Sequence, residues 1–133
     1  MNFSIAVQDS VSKPPRLPYR QAALRTLGEK YNLEMVVAKS AFMKTINTTY
    51  RRKKKTTNVL SFALSRTEGQ IFLDPKVIGK EASVLGVSAR SHFWNMYIHG
   101  ILHLKGFDHG VKMEAAERRL LRFFSLGKKA RAL

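Results

Sequence analysis

Hydrophobic residues recur along this 133-residue chain with two alternating periods, and the switches between them set out the elements. Residues 2–7 predict a short strand. Pro14, Pro15 and Pro18 then break the chain into a loop. From about Tyr19 to Tyr31 the spacing predicts a helix with Ala23, Leu24 and Leu27 on one face. Residues 33–38 predict a strand. Ser40 is expected to N-cap a helix carrying Phe42, Met43, Ile46 and Tyr50. Residues 51–55 form a loop of five consecutive cations. Residues 58–64 predict a strand, and Gly69 opens another over residues 70–73. Asp74-Pro75 is an N-cap followed by proline at the first helical position, starting a helix to about Leu85. A long helix is expected from Ser88 to Leu104, stopped by Gly106. A last one runs from Val111 to Leu126, closed by Gly127 before a frayed basic tail. No repeat or linker divides the order. It predicts one α+β domain over residues 1–133, a small mixed sheet packed with helices.

Charge adds a partner to this picture. The chain has 24 Lys plus Arg against 9 Asp plus Glu, a net of +15 and a pI near 10.6. Such a balance points to a polyanion, of which nucleic acid is the commonest. An anionic membrane surface would call for a basic amphipathic helix, and none is evident. No apolar run approaches the ~20 residues of a membrane span. The N-terminus lacks the pattern of a signal peptide, so a cytoplasmic location is expected. There are no cysteines, which removes disulfides, thiolate ligands and thiol catalysis. A transition-metal site has to be built from histidines and carboxylates.

The histidines supply such a site. His99 and His103 are four apart in the long helix and share one face. That spacing lets two imidazoles reach one cation at roughly 2.0–2.1 Å each. Gly106 ends the helix, and the turn through Phe107 and Asp108 can swing His109 back to the same point. Three neutral imidazoles leave a tetrahedral position open for water, the arrangement of catalytic zinc; iron, nickel or copper also bind three imidazoles. A histidine pair at this spacing is frequent by chance. The third histidine past a helix-stopping glycine carries the assignment. His92, seven before His99, reads as a helix-start or surface histidine. Gly100 holds the position where H-E-x-x-H metallopeptidases place their general base, so the peptidase reading loses its proton acceptor. A mid-helix glycine costs ~1 kcal/mol relative to alanine, which suggests a close approach to the backbone there.

The stretch His99-Gly100-Ile101-Leu102-His103-Leu104-Lys105-Gly106-Phe107-Asp108-His109 resembles the H-G-x-L-H-L-x-G-[YF]-D-H motif of the YbeY family. Asn47-Thr48-Thr49-Tyr50-Arg51 resembles its N-x-x-Y-R segment, and Thr57-Asn58-Val59-Leu60-Ser61-Phe62 its T-[DN]-V-L-S-F strand. Met113 to Glu117 and Leu126-Gly127 fit its C-terminal helix. The likeness covers about Leu33 to Gly127. It departs at Gly69-Gln70, where the family usually has Gly-Asp. The resemblance implies a zincin-like fold with the ligand helix below the sheet. It also implies a metal-dependent endoribonuclease that acts on single-stranded RNA, matures rRNA ends, notably the small-subunit 3′ end, and takes part in ribosome quality control.

One zinc per chain could lower the pKa of bound water to ~7 or polarise a phosphoryl oxygen. Negative charge building on the phosphate needs a cation, and Arg51 matches the arginine of the family's Y-R pair; its planar fork suits phosphate. Arg52, Lys53, Lys54 and Lys55 are expected to bind the RNA backbone without reading sequence. The plain alternative for all five is a solvated charge run. Asp108 is the candidate to orient a ligating imidazole, or else it caps the last helix. Asn58 and Ser61, at odd spacing on a strand, are expected on opposite faces. Phe93, Trp94 and Tyr97 read as core. Two other functions stay open: a zinc hydrolase of peptides or amides, and a ribosome-associated RNA-binding factor without catalysis.

Overall fold

A computed structural model describes residues 1–51 and 57–132, and the side chains of all of these except 51 and 126–132. The strands are β1 (Asn2–Val7), β2 (Asn32–Val37), β3 (Val59–Ser65) and β4 (Glu68–Leu73). The helices are α1 (Tyr19–Leu27), α2 (Ser40–Arg51), α3 (Pro75–Leu85), α4 (Ala89–Lys105) and α5 (Val111–Ala132). The sheet has the order β1-β2-β4-β3. β1, β2 and β4 are parallel, while β3 closes the edge as an antiparallel partner of β4. The architecture is therefore the mixed α+β sheet that the residue pattern predicts.

The strand pleat sorts side chains to two cores. Leu33, Met35 and Val37 of β2 and Ile71 and Leu73 of β4 face one side, where they meet Ala22 and Ala23 of α1, Ile78 of α3, Tyr97, Ile98 and Ile101 of α4, and Met113 of α5. Val36, Leu60 and Phe72 face the other side against Met43 and Ile46 of α2. Central β2 is thus covered on both faces, which is why it reads as an almost continuous apolar run. α4 runs beneath the sheet and carries the residues of the next section.

Several boundaries differ from the sequence expectation, each for a local reason. α1 stops at Leu27 rather than Tyr31, because Gly28 takes φ 92° and its N–H bonds the Leu24 carbonyl at 2.9 Å. Ser40 is the first helical residue of α2, not its cap; the Lys39 carbonyl already accepts from the Met43 N–H. Arg51 is the last residue of α2 rather than the start of a loop. Gly127 does not close α5, which continues to Ala132. An interior glycine weakens a helix by ~1 kcal/mol without stopping it, and Lys128-Lys129-Ala130-Arg131 are good helix formers. The caps of the ligand helix fall where expected. Ser88 accepts from the Ser91 N–H, and Gly106, at φ 109°, ends α4 with its N–H on the His103 carbonyl.

Candidate metal centre

The two ligand candidates on α4 and the one beyond it converge. His99, His103 and His109 each offer a ring nitrogen, and these nitrogens all lie within 4.8 Å of one another. The ring centroids are 4.6 Å apart for His99 and His103, 5.2 Å for His99 and His109, and 4.9 Å for His103 and His109. Glycine makes the return possible: Gly106 and Gly110 both adopt positive φ, 109° and 139°, on either side of the turn that carries His109.

The partners of the outer ring nitrogens set the orientation. His103 Nδ1 lies 3.0 Å from the Phe107 carbonyl. A carbonyl only accepts, so Nδ1 carries the proton and Nε2 keeps its lone pair. That Nε2 sits 3.1 Å from His99 Nε2. Two imidazole nitrogens this close share a proton or a cation. On its outer side, His99 Nδ1 faces Glu117 Oε1 of α5 at 3.5 Å, with both side chains about one-fifth exposed. The contact is long for a hydrogen bond, yet the carboxylate still favours a proton on Nδ1 and so turns Nε2 inward. The donor set, three converging imidazoles of which two are held in the tautomer a cation needs, fits a transition metal.

Asp108 stands exposed in the turn, and the contacts described for the rings run to Phe107 and Glu117. Glu117 is the residue beside the ring cluster that sequence reasoning missed. Its signal was faint but present: it lies four after buried Met113 and next to buried Ala116, an acid on the apolar stripe of α5. Arg51 ends α2, and its side chain lies outside the description, as do Arg52, Lys53, Lys54 and Lys55.

Gly100 has a packing reason. A Cβ there would lie 3.2 Å from Ser61 Oγ and from Val59 Cγ2, and 3.3 Å from Ile71 Cγ2. The Ser61 hydroxyl donates to the Gly100 carbonyl at 2.9 Å, tying β3 to α4. The missing glutamate of the H-E-x-x-H pattern is therefore missing because the sheet occupies its place.

His92 is not a surface histidine. It is buried, with Nε2 3.0 Å from Glu81 Oε1. The Asn58 amide donates to the same oxygen at 2.9 Å. Asn58 and Ser61 do not point to opposite faces; both reach toward α3 and α4. Strand alternation does not apply, because β3 begins at Val59, after Asn58. Gln70 at the family's aspartate position donates to Glu34 Oε1 at 2.8 Å across the β2–β4 register. An aspartate there would face Glu34 as a like charge.

Comparison with known proteins agrees with the motif. The family profile described as "Endoribonuclease YbeY" matches residues 17–124. An Endoribonuclease YbeY of Anaplasma phagocytophilum is 40% identical over 116 residues, covering 81% of this chain and 75% of the relative. One of Chromobacterium violaceum is 36% identical over 118 residues, 81% of this chain and 70% of the relative. One of Neisseria meningitidis serogroup B is 34% identical over 140 residues, 92% of this chain and 83% of the relative. The solution structure of TM1509 from Thermotoga maritima shares the fold, with a TM-score of 0.63 and 17% identity over 96% of this chain and 93% of that one. Its likeness speaks to architecture alone. With the profile spanning most of the sequence and the relatives matching across it, this chain belongs to the YbeY endoribonuclease family.

Proposed function

We propose that the protein is a metal-dependent endoribonuclease that hydrolyses phosphodiesters of single-stranded RNA. His99, His103 and His109 would hold one zinc ion. The carrying observation is the convergence of their ring nitrogens within 4.8 Å, inside a motif that matches a family of endoribonucleases. A bound divalent cation supplies Lewis acidity to a phosphoryl oxygen or to water.

The chain's own residues account for the rest. Phe107 and Glu117 hold two of the imidazoles in the required tautomer. Arg51, in the segment that resembles the family's N-x-x-Y-R, is assigned to charge developing on the phosphate. Arg52, Lys53, Lys54 and Lys55 are assigned to the flanking backbone, and Asp108 to support of the ligand turn. The excess of basic residues suits this substrate. The natural substrate assigned is rRNA of the small subunit, at its 3′ end, in ribosome maturation and quality control within the cytoplasm. No helix of the described residues is long and apolar enough to cross a membrane.

The test pairs two substrates with a chelator. Purified without a histidine tag, the protein should contain about one zinc per chain and cut single-stranded RNA but not casein. Chelator and His103→Ala should each abolish cutting. Casein cleavage would select the peptidase reading, and salt-sensitive RNA binding without cutting would select a binding factor. Metal retained after alanine replaces all three histidines would remove the site.

A further inference from the structure

A cavity of about 640 Å³ opens between the first half of α4, the second half of α5 and residues 16–18 ahead of α1. Its walls mix two chemistries. Trp94 and Phe124 supply aromatic surface, while Arg16 and Arg90 supply charge, and no carboxylate lines it. Both arginines are exposed, and Trp94 is half-buried. On one side Trp94 stacks on Tyr97, with centroids 5.7 Å apart and planes at 19°; the Phe124 ring meets it edge-on at 5.7 Å. The indole is thereby fixed with little freedom left to lose when a flat group packs on it.

The cavity and the histidine cluster lie along the same pair of helices. On α4, Ser91, Asn95 and His99 recur every four residues and so share a face. On α5, Ser125, Leu121 and Glu117 do the same. The helices run antiparallel, with His99 opposite Glu117 and Trp94 against Phe124. Ser91 and Asn95 from one helix and Leu121 and Ser125 from the other line the cavity. Its near edge at Asn95 is thus about 6 Å along α4 from His99, one turn of helix.

We propose that this cavity is a nucleotide subsite for the RNA strand, with a base stacked on Trp94 and the backbone phosphate on Arg90 and Arg16. The inference rests on the endoribonuclease reading, since it places a neighbouring nucleotide of the strand whose phosphodiester lies at the histidines. Stacking on an aromatic side chain tolerates any base and is worth roughly 1–3 kcal/mol per base. Two guanidinium groups without a carboxylate favour phosphate over a cationic or neutral ligand. The volume falls in the ordinary range for small-molecule pockets.

Trp94 is the single tryptophan of the chain, so its emission reports on this cavity alone. Chelator-treated protein, which should not cut, is titrated with a short fluorescein-labelled single-stranded oligoribonucleotide. The expected result is saturable quenching of Trp94 at the same midpoint as the rise in RNA anisotropy. Arg16→Glu combined with Arg90→Glu should weaken binding about tenfold or more. Zinc content and circular dichroism of that variant should match the unmodified protein. RNA binding with unchanged tryptophan emission would overturn the subsite and leave the endoribonuclease reading standing. Unweakened binding by the folded double variant would do the same. Absence of both RNA binding and cutting in the untreated protein would overturn the two together. The fluorescence arm uses unmodified sequence, so it decides even if the double variant fails to fold.

Discussion

A single carboxylate and a single carbonyl decide which way two rings of the metal centre face. The Phe107 carbonyl is backbone and cannot be deleted, but Glu117 can be changed one atom at a time. Glu117→Gln keeps size and removes charge, and its amide can present either oxygen or nitrogen to His99 Nδ1. Groups that orient a metal ligand in this way are commonly worth 10–100-fold in metal affinity. Competition against a fluorescent zinc chelator should show a loss of that size for Glu117→Gln and little change for Asp108→Asn, which stands exposed. A larger loss for Asp108→Asn would return the orienting role to the residue that sequence spacing suggested. Histidine spacing made the cluster legible because a helix fixes relative direction over four residues. It could not show Glu117, whose place depends on how α5 folds back on α4.

At the scale of elements, local signals held where one residue sets the backbone and failed where packing does. Asp74-Pro75 begins α3 as read, with the aspartate accepting from the Lys76 and Val77 N–H groups. Gly106 ends α4 and Gly28 ends α1, but only the first was read, because Leu27 to Tyr31 keep an apolar rhythm past the break. The burial of His92 is invisible in the sequence, since its partner Glu81 comes from α3 and is itself held by Asn58, the residue before β3. Gly100 shows the opposite case: a helix-unfriendly residue whose reason is the sheet against it. Gly100→Glu should lower stability by ~3 kcal/mol or more by burying a carboxylate against β3 and β4, and should confer no casein cleavage. A urea unfolding curve measures the first and a casein assay the second. The α1–α4 contact offers a pH test. Burial holds the Tyr97 phenol well above its ordinary value of about 10, and its hydroxyl donates to the Tyr19 carbonyl at 2.7 Å. Burial raises Tyr19 too, against the lowering effect of Arg90. The phenols ionise more readily once unfolded, so their contribution is whole below pH 10 and declines as pH rises above it. The urea midpoint should fall between pH 9 and pH 11, and fall less for Tyr97→Phe.

For the molecule as a whole, the proposed function divides the labour between a charge excess that would hold RNA and a histidine cluster that would cut it. Phosphate neutralisation releases counterions, so affinity for single strands declines with log salt at a slope of about −0.7 per contact. Replacing Arg52, Lys53, Lys54 and Lys55 with alanine should flatten that slope by ~3 if all four touch phosphates, and less if some are only solvated. His103→Ala should end cleavage while leaving the slope nearly as it was, because the slope counts the Lys and Arg contacts to phosphate. Filter binding across a salt series, run beside a cleavage assay on the same RNA, separates the two. If the four-residue variant keeps the full slope, the RNA path lies over other basic residues, and Arg16 and Arg90 at the α4–α5 groove are the next pair to reverse. That result would turn the strand's course along α4 from a local contact into the main binding surface, since Arg90 and His99 lie on the same helix.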